Sequence, residues 1–192
     1  MHYRRIASFL MGAWIAASFL MTYVATQNFQ NADRILTAPP PAASAIIRTL
    51  GHDQARMFLR YQAAEENRAY FATWETVQLL IGIALTVLLL FSTHVNRLLV
   101  GLCGLMVLLV GFMHFALTPE ITFAGRAFDF VPSDAGGRGH FWVLHGLYSG
   151  LEILKLILGC VVAGYLFVFK TRMRRADPVS LGDLTKLKRT AS

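Results

Sequence analysis

Phe141–Lys170 reads FWVLHGLYSGLEILKLILGCVVAGYLFVFK. A helix needs about 20 apolar residues to cross the hydrocarbon core of a bilayer, and this stretch supplies them. Yet it also carries His145, Tyr148, Glu152 and Lys155. At about 100° per residue those four side chains fall within an arc of roughly 80°, and Gly159 continues the stripe. A Lys or Glu at the centre of a membrane helix costs about 2.5–3.5 kcal/mol on insertion scales. A partner, a water-filled cavity or a ligand must offset that cost. The stretch therefore decides two things: the fold is built in a membrane, and one helix face has business inside it.

The rest of the composition agrees. Of 192 residues, 55% are hydrophobic and only 15% charged, with mean hydropathy +0.50. That is too little charge for an ordinary soluble domain, and the length suggests one domain. The net charge of +7 argues for topology rather than nucleic acid, because the basic residues crowd beside apolar spans and not among stacking aromatics. Cys103 and Cys160 lie inside apolar runs. Without close spacing they make neither a disulfide framework nor a metal motif, and they read as small apolar fillers.

Working outward, three further spans appear, so the spans lie at about residues 6–24, 74–91, 99–117 and 142–169. The first follows a basic start, Arg4-Arg5, and exceeds the usual signal-peptide core of about 7–15 residues, which favours an uncleaved helix. Ser8, Gly12 and Ala16 are spaced to let another helix approach. Asn28–Leu36 can extend that helix until Pro39-Pro40-Pro41 ends it. Ile46, Ile47, Leu50, Met57, Phe58 and Tyr61 then recur at helical spacing. They mark an amphipathic outer segment over 42–70, broken at Gly51, with Asp53 capping the continuation. It reads as a cover over the outer end of the bundle. Tyr70, Phe71 and Trp74 are placed like an interfacial belt.

Glu75 and Gln78 open the second span. His94, Asn96 and Arg97 form a turn. In the third span Gly104, Gly111, His114 and Thr118 share a face, with the glycines suited to close packing. Pro119, Pro132 and Gly136-Gly137 make 118–140 a loop with turns. Residues 171–192 form a basic, mobile tail. Arg4, Arg5, Arg97 and the Lys170–Arg175 cluster fall on one side of four spans, which the positive-inside rule makes cytoplasmic. The expected fold is an all-α integral membrane four-helix bundle with an extra amphipathic helical segment outside, in a bacterial inner membrane.

Three patterns go further: the four-span layout with a long first connection; Pro119-Glu120-Ile121 with Arg126; and Phe141-x-x-x-His145-x-x-x-Ser149. In these the chain resembles the bacterial relatives of transmembrane protein 205, small four-helix membrane proteins. The resemblance covers most of residues 6–168. The insert over 28–70, with Glu65-Glu66-Asn67-Arg68, is larger than that family's core, and no catalytic residue carries over.

The polar groups expected to meet in the outer half of the membrane are Glu75, Gln78, His114, His145, Tyr148, Glu152 and Lys155. Glu152 and Lys155, three apart, can pair on their own helix, and a self-satisfied structural salt bridge is the plainest reading. An ion, proton or small-solute site is the functional one. A haem held between His114 and His145 is a third, of the kind helix bundles build, although no CxxCH motif is present. No ligand spacing marks a metal centre at His140, His145, Glu120 and Asp129. No phosphate loop, GxSxG or HExxH occurs, so a non-enzymatic protein is expected. Its partners are the bilayer and other membrane subunits, the latter through the small-residue faces at Gly12 and Gly104.

Overall fold

The computed structural model describes residues 2–91, 96–131 and 136–175, with side chains placed from 3 to 168 within those ranges. The turn at His94, Pro132 and residues 176–192 of the expected tail lie outside the described residues; residues 171–175, expected to begin that tail, are instead the end of the last helix. Six α-helices follow in order: α1 (His2–Thr37), α2 (Pro41–Leu50), α3 (His52–Leu90), α4 (Arg97–Phe112), α5 (Thr118–Arg126) and α6 (Gly139–Arg175). A single π-helical turn, Met113–Leu117, joins α4 to α5 without a break. The architecture is an all-α four-helix bundle. Its four long rods (α1, α3, α4 to α5, and α6) are each long and apolar enough to cross a membrane.

Two breakers set the first boundaries. The Pro39–Pro41 run stops α1 at Thr37, and Pro41 then starts α2, where its missing N–H and fixed φ are tolerated. Gly51, at φ 82°, takes the left-handed turn between α2 and α3. Asp53 does not cap α3. It sits in the first turn, where its charge favours the helix dipole, and the cap position belongs to Gly51.

The outer segment expected over 42–70 is therefore divided differently. Only α2 is a separate helix, and residues 52–70 are the first turns of the same rod that makes the second span. At 1.5 Å per residue α1 and α3 are roughly 54 and 58 Å long, well beyond the ~30 Å hydrocarbon core. They leave the bundle together as an antiparallel hairpin, with α2 at its tip. Asn67 ties the pair, accepting from Asn28 Nδ2 at 2.7 Å and donating to the Ala25 carbonyl at 3.0 Å. Arg60 reaches Asp33 at 3.3 Å.

Pro119 does not begin a loop. A π turn widens the helix just before it, so the ring clears the preceding carbonyls and its absent N–H breaks no bond that the turn requires. The rod continues to Arg126. Beyond it, Arg68 lies against both Asp129 oxygens at 2.9 and 2.7 Å, and Arg126 against both Glu65 oxygens at 3.0 and 3.1 Å. This clasp fastens α5 to α3 above the apolar stretch. The hydrogen bond from Arg126 is the main cause holding the Glu65 carboxyl below its ordinary range; partial burial opposes it and Arg68 reinforces it.

The bundle closes as a ring, α1 on α3, α3 on α4, α4 on α6 and α6 on α1. Arg4 donates to the Leu166 carbonyl at 3.2 Å, so the start of α1 and the end of α6 share one end, here the terminal end. Its half of the bundle is dry. Met11 and Trp14 (α1), Leu85 and Leu89 (α3), Met106 and Val110 (α4) and Val162 (α6) are all buried there. The tight glycine is Gly82: a Cβ on it would stand 2.7 Å from Val107 Cγ2 and 3.0 Å from Trp14 Cζ3. Gly12, Gly104 and Gly111 have open space where their Cβ would be, so the close packing expected of them is not used within this chain. Only 22–33% of each apolar window is buried. The remaining apolar surface, including Phe9, Leu108, Phe115 and Phe167, faces outward, as a lipid environment demands.

Candidate functional site

Between the dry half and the hairpin end lies a polar layer drawn from all four rods. Its centre is Glu75 on α3, with no exposed surface at all. Three polar side chains converge on it. Thr118 Oγ donates to Glu75 Oε1 at 2.5 Å, Tyr148 OH donates to the same oxygen at 2.9 Å, and His114 Nδ1 lies 3.1 Å from Oε2. With the carboxyl ionised, the proton of that last bond belongs to Nδ1; with it protonated, the bond can run the other way.

One turn along α3, Gln78 is also wholly buried. Its Oε1 accepts from Lys155 Nζ at 2.7 Å, and its Nε2 donates to Ser18 Oγ on α1 at 3.3 Å. Lys155 is 1% exposed, and donates in addition to Glu152 Oε1 at 2.7 Å. Its chain rises toward the start of α6, the direction helical side chains take.

Local structure explains the convergence. Glu75 and Gln78 are three apart, so one face of α3 carries both. His114 lies within the π turn and Thr118 directly after it. The inserted residue of such a turn re-aims side chains, and π turns recur at functional sites. On α6 the buried seam runs through Tyr148, Lys155, Gly159, Val162 and Leu166. Six of the seven expected polar residues thus belong to this layer: Glu75, Gln78, His114, Tyr148, Glu152 and Lys155.

His145 does not join them. It stands roughly 60–80° around α6 from Tyr148 and Lys155, is exposed, and packs between Phe141 and Trp142, each with ring centroids at 5.9 Å. The expected arc is real, but its buried centre lies toward Lys155, so its far edge leaves the bundle. His114 and His145 consequently do not share a site: one imidazole is bound to Glu75 while the other faces away among aromatics. His140 reaches Glu120 at 3.6 Å on the surface, and among the described residues no group of three or more His, Cys, Asp or Glu is placed to hold a metal ion.

The expected aromatic belt is also rearranged. Tyr70 is exposed, but Trp74 is buried and Phe71 packs edge-on against Tyr148 at 5.6 Å. Phe71 packs there with Met113 and Leu117 as well. Sequence reading missed Ser18, whose position on the inner face of α1 was hidden in a uniformly apolar run. It also left Thr118 outside the site set. The sequence signal for Thr118 was its place one turn beyond His114.

The layer reaches the surface at His114, Glu152 and the partly exposed Thr118. The His114 side chain is 25% exposed and that of Glu152 is 20% exposed. Toward the terminal end it meets Trp14, Leu85 and Met106, all buried. Comparison with protein-family models, curated proteins and solved structures finds no match.

Proposed function

We propose that this is a non-enzymatic, multi-pass membrane protein whose polar layer is a transport-related ion or solute site, and not only a structural ion pair. One observation carries the reading. Lys155 is matched by Glu152, while Glu75, the most deeply buried acid, is met by two hydroxyls and one imidazole and by no Lys or Arg within hydrogen-bond distance. A layer kept only for stability gains nothing from an unmatched buried carboxylate, since removing the charge in favour of well-packed neutral groups is commonly neutral or stabilising. Intramembrane acids with His and Lys neighbours are a recurrent feature of ion and proton pathways.

The protein sits in a bacterial inner membrane with both termini cytoplasmic. The placement of Arg4, Arg5 and Arg97 at the terminal end supports that orientation. The four-span layout and the short motifs support a place beside the relatives of transmembrane protein 205.

The test is flux into sealed vesicles carrying the purified protein, with dyes for protons, sodium and potassium. Wild type is expected to move one of them, and Glu75→Gln to lose at least tenfold with its helical content unchanged. Vesicles inert to all three ions, with Glu75→Gln clearly less stable than wild type, would reduce the layer to structure.

A second reading, an accessory subunit of a larger complex, is favoured by the exposed Ser8, Gly12 and Ala16 ridge. Partners retained in mild detergent and lost in Gly12→Leu support it; a clean monomer in both opposes it.

A further inference from the structure

We infer that the exchangeable ligand of this layer is a proton, shared between Glu75 and His114 and loaded from the hairpin side. The inference deepens the transport reading and rests on the same site. Charge counting comes first. Ionised groups facing Glu75 come from two elements: α3 contributes Glu75 itself, and α6 contributes Glu152 and Lys155, the latter within Coulombic reach of Glu75. The π turn contributes His114, α6 also Tyr148, and α1 only the neutral Ser18. With His114 neutral, two carboxylates face one ammonium and the layer holds one uncompensated negative charge. In a low-dielectric interior that charge is costly. One added proton cancels it.

The geometry gives that proton a route. His114 spends Nδ1 on Glu75, which leaves the Nε2 lone pair as the acceptor on a side chain that is 25% exposed. A proton taken from water at Nε2 makes an imidazolium, whose Nδ1–H stays on Glu75 Oε2. Passing the Nδ1 proton to that oxygen gives neutral imidazole and a carboxylic acid with the same proton count. Glu75 itself has no surface, and of its three partners the imidazole is the base with a partly exposed side chain, so exchange with water is assigned to it. The other direction is closed, because among the described residues the dry core around Trp14, Met106 and Leu85 holds no buried carboxylate, imidazole or amine. Trp14 Nε1 lacks a partner, but it is a donor only. The layer is therefore a one-sided proton site and not a continuous wire.

The test is acid-minus-alkaline difference infrared spectroscopy on the full chain in lipid nanodiscs, for wild type, Glu75→Gln and His114→Gln. Wild type is expected to show a carboxyl or imidazolium signal that both variants lose. Identical difference spectra for wild type and Glu75→Gln would overturn the proposal. Should a variant fail to fold, wild type labelled with 15N-histidine answers the same question. One imidazole must take up its proton apart from the other five, with its Nδ1 hydrogen-bonded throughout; six alike would refute it. Proton binding without ion flux would refute transport and leave this site standing. Sodium or potassium flux without proton binding would do the reverse.

Discussion

The two halves of the bundle solve the same packing problem with different chemistry. The terminal half closes with Met11, Trp14, Leu85, Leu89, Met106 and Val110. The hairpin half closes with Glu75, Gln78, Lys155 and Tyr148, each less than a tenth exposed. In a membrane neither half is driven together by water, because lipid is as apolar as leucine, so fit and hydrogen bonding decide association. The dry half is therefore sensitive to volume and indifferent to charge. The polar half should be the reverse, and substitutions can separate the two.

The largest expected stability loss lies in the dry half. Trp14→Ala empties a site that is 1% exposed, and a loss of about 3–5 kcal/mol is expected, read as a fall in thermal midpoint in detergent. Next, Gly82→Val sets bulk against Val107 and Trp14, for a loss of about 1–3 kcal/mol by overpacking. Val107→Ala should restore part of it, whereas additive losses would mean that the 2.7 Å approach does not limit packing. In the polar half, Lys155→Met strands Glu152 and the Gln78 carbonyl and should cost about 1–3 kcal/mol. Adding Glu152→Gln should recover most of it, since the stranded charge is then gone. The smallest effect belongs to the clasp. Arg126→Ala, at a side chain 60% exposed, should lower the thermal midpoint only slightly, because solvent screens the pair. Arg68→Ala, which frees a nearly buried Asp129, should cost more than Arg126→Ala.

The four rods were legible in the sequence because a membrane span is a length-and-hydropathy statement, and both quantities survive any packing arrangement. Helix ends at Thr37 and Gly51 were legible for the same local reason: proline and glycine act on their own backbone. The join between residues 52–70 and the second span was not, because the polarity of Glu65-Glu66-Asn67-Arg68 looks like a break although the backbone has no reason to stop. Pro119 misled in the opposite sense, since its ring was accommodated by a π turn that no residue pattern announces. Six polar residues were found because buried charge in a membrane is conspicuous. His145 was wrongly grouped with them because helical arithmetic gives an arc but not which part of it faces the neighbours. Ser18 was invisible because a small hydroxyl in an apolar helix carries no signal until its partner, Gln78, is placed.

The central claim is that Glu75 is kept for its charge and not for its contribution to the fold. It is tested most directly by measuring thermal midpoint and ion flux on one preparation of Glu75→Gln reconstituted beside wild type. A midpoint equal to or above that of wild type, with flux reduced at least tenfold, is the expected result. A midpoint several degrees lower with flux unchanged would contradict the claim and make Glu75 a structural residue.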